Sequence, residues 1–187
     1  MGIFDFIGKK NKSKSISEKA NILQNRNIEP PPQNVSQNTL AEDIKISAEW
    51  VRENMNLSGY KVDYDLESMK EVDRFFDDQI KEGGLLTGKC GNIIFSLGSF
   101  IGETIIKLYG GEWITNDDDP NGEINAEVHT SDKIVCWPII RCMKRRQNGP
   151  EESIYAYVIA LEKNPNPDKM VDITKAIISQ AKDLKMD

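Results

Sequence analysis

Apolar residues recur at helical spacing in the stretches that follow residue 38. Leu40, Ile44, Ser47, Val51 and Met55 fall on one stripe, with Asn38 or Thr39 ahead of them as a cap and Glu42 placed to complete a capping box. Residues 57–61 break the pattern. Leu66, Met69, Val72, Phe76 and Ile80 then predict a second helix with Asp65 as its N-cap and with Lys70, Asp73, Arg74 and Asp77 on its solvent face. Gly83-Gly84 ends that helix. Residues 93–109 are apolar nearly all round, which predicts a helix enclosed by other elements. Gly98 and Gly102 lie four apart on it and leave one side smooth enough for another backbone to approach. Gly110-Gly111 terminates it.

Beyond this point the period shortens to two. Trp113-Ile114-Thr115 reads as a short strand, residues 117–122 as a turn, and residues 123–130 as a strand with Ile124, Ala126 and Val128 on one side. A further strand over 134–137 completes a small antiparallel sheet. Pro138 fits the first position of a helix that runs to about Gln147. Residues 151–161 predict another helix, Asn164-Pro165-Asn166-Pro167 a break, and residues 172–186 a last helix with Ile173, Ile177, Ile178, Ala181 and Leu184 inward. The expected fold class is α+β: one helix-rich domain over residues 39–187, with five or six helices around a sheet of about three strands.

The chain has 187 residues, enough for one domain and appendages. Its net charge of −6 is uneven. Residues 1–38 carry a surplus of three positive charges, which leaves −9 on the rest. Those first residues, with Pro30-Pro31-Pro32 among Asn, Gln and Ser, read as a disordered basic tail and linker. An acidic body disfavours nucleic acid, which needs a basic face, and leaves a basic protein partner open. A homodimer is compatible with the same composition. Three cysteines show no disulfide framework and suit a reducing cytoplasm. No secretory leader is read at the start, and Glu103 and Lys107 interrupt the most apolar stretch, so no stable membrane insertion is expected.

The chemistry-bearing candidates cluster late in the chain. Glu103 sits in the most apolar helix, and a buried carboxylate must be paired, hydrogen-bonded or protonated. Arg141, Lys144, Arg145 and Arg146 are the obvious cations, and Arg141 and Arg145 share one helix face, so both could reach Glu103. That grouping reads either as an ion pair docking two helices or as a pocket that Trp113 and Trp137 help to line. Asp117, Asp119, Asn121 and Glu123 match the first half of a calcium loop. The second half departs from it, because Val128 stands where the bidentate Glu belongs, and a plain acidic turn uses the same residues. His129 has no catalytic partners at recognisable spacing, Cys136 and Cys142 form no CxxC pair, and the Gly-Gly pairs follow no strand as a phosphate loop would.

The order Gly98-x3-Gly102-Glu103, Gly110-Gly111-x-Trp113, Pro138, Lys144-Arg145 and Asn148-Gly149-Pro150-Glu151 resembles a family of small bacterial domains of unknown function over about residues 60–160. The resemblance implies a helix-rich α+β fold and a bacterial cytoplasmic setting, and it carries no active site. The expected function is therefore a non-enzymatic, immunity- or regulator-like domain that binds another protein, without a cofactor unless calcium. The alternative is a small-ligand-binding or hydrolytic domain with a pocket around Glu103, Arg141 and Trp137.

Overall fold

A computed structural model describes residues 30–32 and 38–163. The expectations for most of the basic tail and for the helix over 172–186 lie outside the described residues.

Helix α1 (Leu40–Leu57) starts where the sequence places it. The Thr39 hydroxyl accepts from the Glu42 amide while the Glu42 carboxylate accepts from the Thr39 amide, so two of the end's unbonded N–H groups are satisfied reciprocally. Asp117 supplies a tertiary acceptor, its Oδ1 lying 2.5 Å from the Leu40 amide. Helix α2 (Leu66–Gln79) is capped by Asp65, whose carboxylate accepts from the Ser68 amide at 2.8 Å. Met69, Val72 and Phe76 are buried as the stripe requires. Ile80 is not: the helix stops at Gln79, and Ile80 becomes its exposed C-cap.

Helix α3 (Gly91–Tyr109) is the hub, packed along α1 and also against the helix that begins at Pro138. Its buried hydroxyls satisfy themselves locally. Ser96, Ser99 and Thr104 each donate to the carbonyl four residues back, which lets polar side chains sit inside an apolar core. The two glycines explain the close packing. A Cβ at Gly98 would stand 2.6 Å from the Cα of Ile139, and one at Gly102 would overlap the Trp113 ring.

The sheet has the order β1-β2-β3, antiparallel throughout, from β1 (Gly111–Ile114), β2 (Glu127–Thr130) and β3 (Val135–Cys136). Gly111 links α3 to β1 at φ 116°, a conformation that favours glycine, and a Cβ there would strike the His129 carbonyl. The α+β class with a three-stranded antiparallel sheet agrees with the sequence pattern. One strand does not. Residues 122–125 wind into a single helical turn, α4 (Gly122–Asn125), because the Asn121 carbonyl accepts from both Ile124 and Asn125. The Asp119 carboxylate reinforces the turn by accepting from the Asn121 amide and the Asn125 side chain.

Helix α5 (Pro138–Asn148) begins with proline at its first position. A 3₁₀ turn over Gly149–Glu152 follows, and α6 (Ile154–Lys163) starts three residues later than the expected 151. The reason is Ser153, whose hydroxyl accepts from the Ala156 amide and so fixes the helix start.

Candidate functional site

The basic face of α5 is the richest polar cluster among the described residues. Arg145 is buried beside α2, with only 3% of its side chain exposed. Its Nε donates to Asp73 Oδ1 at 2.8 Å and its Nη2 to Asp77 Oδ1 at 2.5 Å. Burial disfavours the guanidinium charge, and the hydrogen bonds it donates to the two aspartates more than offset this, so the pKa rises. Asp73 does more than balance this charge. Its Oδ1 also accepts from the Ile154 amide at 2.9 Å, and its Oδ2 accepts from the Tyr155 amide at 3.0 Å and the Ser153 hydroxyl at 2.7 Å. A carboxylate on α2 thus caps the N-terminus of α6, where free amides and the helix dipole favour negative charge.

Arg141 pairs with Glu152 and lies over the Tyr157 ring, 4.2 Å from its centroid. Its Nε is buried without a hydrogen-bond partner among the described residues. Lys144 is buried on the same helix, and desolvation lowers its pKa, with Glu152 opposing and Arg141 adding to the effect. Arg146 donates to the Leu86 and Gly88 carbonyls, each at 3.0 Å, and so fastens the loop between α2 and α3. That loop reads Gly83-x4-Gly88-Lys89-Cys90, which has phosphate-loop spacing with cysteine in place of the final Ser or Thr. It follows a helix instead of a strand, and the Cys90 thiol that replaces the required hydroxyl is turned to the Leu86 carbonyl.

Glu103 is where the sequence expectation fails. Its carboxylate accepts from the Trp113 indole at 2.9 Å and pairs with neither Arg141 nor Arg145. Trp113 lies across Gly102, so its N–H reaches the adjacent Glu103, while each arginine has an acid of its own. Nor do the two tryptophans share a cleft. Trp113 packs on the main core, whereas Trp137 anchors a separate cluster with Ile140, Ile124 and Val135. The pocket group of Glu103, Arg141 and Trp137 is therefore split among different partners.

The acidic turn is likewise engaged within the fold. Asp117 binds the Leu40 amide, Asp119 the Asn121 amide and Asn125 side chain, and Asn121 and Glu123 belong to the α4 turn. No group of three or more His, Cys, Asp or Glu side chains among the described residues is arranged to hold a metal ion. His129 lies on the sheet with its Nε2 2.6 Å from the Glu127 carboxylate. Cys90, Cys136 and Cys142 are buried free thiols. Burial pushes Cys136 up to about 12, against a bond with Tyr157 and the charge of Arg141. Among the described residues, no helix is long and apolar enough to cross a membrane.

No family model matches the chain, and neither a curated protein nor a solved structure matches it.

Asp73 is the residue that sequence reasoning missed. Its place beside the apolar stripe points it to the solvent face of α2. Its partners lie some seventy to eighty positions ahead, beyond the reach of any local pattern.

Proposed function

We infer that the chain is a non-enzymatic cytoplasmic domain that binds another protein, in the manner of an immunity or regulatory protein. The observation that carries this reading is how the candidate pocket and metal side chains are used. Glu103 holds Trp113, Arg145 joins α2 to α5, Arg141 holds Glu152, and Asp117 caps α1. Groups committed to such bonds are positioned to hold the fold, and moving a proton for a substrate would break them. The resemblance to small bacterial domains of unknown function belongs to the same proposal and adds no site to it.

The test is affinity capture from native lysate with the wild type and a folded Glu103→Gln variant. One protein partner, retained by both, is the expected result. Capture of no protein, together with a co-purifying small molecule lost in the variant, would overturn the reading.

A further inference from the structure

Strand β1 is one of the two edge strands of the sheet, and no backbone or side-chain hydrogen bond is made to its far edge among the described residues. The ladder identifies the groups that face that edge. The Thr130 amide donates to the Ile134 carbonyl at 2.9 Å, so Thr130 turns its backbone groups toward β3, as does Val128 two residues earlier. Antiparallel alternation then turns Glu127 and His129 toward β1. Their register partners Ile114 and Glu112 bond inward. The N–H and C=O groups of Gly111 and Trp113 are left pointing off the sheet.

Folded proteins commonly blunt such an edge with lysine, proline, a bulge or a covering element. Gly111-Glu112-Trp113-Ile114 contains no lysine or proline, its register is unbroken over four pairs, and three of its four residues are exposed. Its surroundings are acidic. Glu112 lies across from His129 and Ile114 across from Glu127 on the outer side of the sheet, and Asp117, Asp118 and Asp119 come after Thr115 and Asn116. A second copy pairing edge to edge would bring two acidic rims together, which like charge disfavours.

We propose that β1 is a strand-addition site for an extended basic segment of a partner protein. The segment's backbone pairs with Gly111 and Trp113. On the outer face, a lysine or arginine of the segment lies across from Glu112, and an apolar residue two positions along lies across from Ile114, which is 42% exposed. Main-chain pairing gives affinity in this mode and the alternate side chains give selectivity. This deepens the interaction reading above and rests on it.

The test uses the full chain and a synthetic peptide of repeating Lys-Thr-Val-Thr, which sets lysine and valine by turns on one face of an extended strand. A control peptide of equal charge carries proline at alternate positions and cannot pair as a strand. Amide exchange is followed by NMR at low salt. The expected result is at least a tenfold slowing at Gly111 and Trp113 with the lysine–valine peptide and none with the control. A variant carrying Glu112→Lys and Ile114→Lys should bind the peptide at least tenfold more weakly with its melting transition retained, since both side chains are exposed. Equal binding of the control, unslowed exchange at the edge, or edge protection by self-association without peptide would each overturn the proposal. Capture of the same lysate partner by the wild type and by this variant would remove the edge site and leave the interaction reading standing. Capture by neither would remove the interaction reading itself.

Discussion

Half-buried Glu103 and the three buried cysteines show how surroundings constrain single side chains. Glutamine at position 103 can still accept from the Trp113 indole, so Glu103→Gln should cost less than about 1 kcal/mol in urea unfolding. Glu103→Ala leaves that indole without its acceptor and should cost about 1–3 kcal/mol. A larger loss in the glutamine variant would mean that the charge itself is needed. The thiols make a prediction about pH. Burial raises Cys136 to about 12 and drives Cys142 upward as well. The folded state therefore holds protons that the unfolded chain releases near the ordinary thiol value of about 8.5. Stability from these groups is complete below that value and falls as pH rises from about 9 toward 12, by about 1.4 kcal/mol per pH unit for each thiol. Urea midpoints across this range check the sign, and the native thiols should resist alkylation at pH 8 until the chain unfolds. Such burial was legible in the sequence for the cysteines, which stand beside apolar residues. It was misjudged for Asp73, whose carboxylate takes four donors from α5 and the start of α6. Local spacing shows which face of a helix a residue occupies but not which distant helix end is brought to it.

The elements read most easily were those with long periods and strong punctuation. The capping residues Thr39 and Asp65, proline at the start of α5 and the glycines after α3 all lie where the pattern puts them. Gly98 and Gly102 invert an ordinary expectation. In a free helix, Gly→Ala stabilises by up to about 1 kcal/mol. Here a Cβ at Gly98 meets the Ile139 backbone and one at Gly102 meets the Trp113 ring. Both substitutions should destabilise, by about 1–3 kcal/mol each from overpacking, as thermal or urea melts would report. A gain in stability from either would show that α3 does not pack this closely. The strand expected over 123–130 was half right for a related reason. Ala126 and Val128 do enter the main core, but Ile124 also packs beside Trp137 on the smaller cluster. Alternating apolar residues can thus serve two clusters, and a single helical turn is too short to show a period of its own.

At the scale of the molecule, buried cations are matched by carboxylates inside, and a further set of acids is left outside. Arg141 and Arg145 each meet a carboxylate within the fold, while Glu112 and Asp118 are exposed beside an open sheet edge. The α+β class, the three-stranded sheet and most helix limits were legible in the sequence. The pairing of charges was not, because the same four cations and several acids can be matched in many ways until the helices are docked. The bonds of Arg145 to Asp73 and Asp77 make the charged cluster of α5 part of the scaffold. A double-mutant cycle between Asp73 and Arg145, measured by urea unfolding, tests it most directly. Breaking either side of a buried pair typically costs about 3–5 kcal/mol, so Asp73→Asn and Arg145→Met should each fall near that range. The double variant should cost at least about 1 kcal/mol less than the two single costs added together. Single costs below about 0.5 kcal/mol, with no coupling between them, would contradict the account and return the cluster to candidacy as a working site.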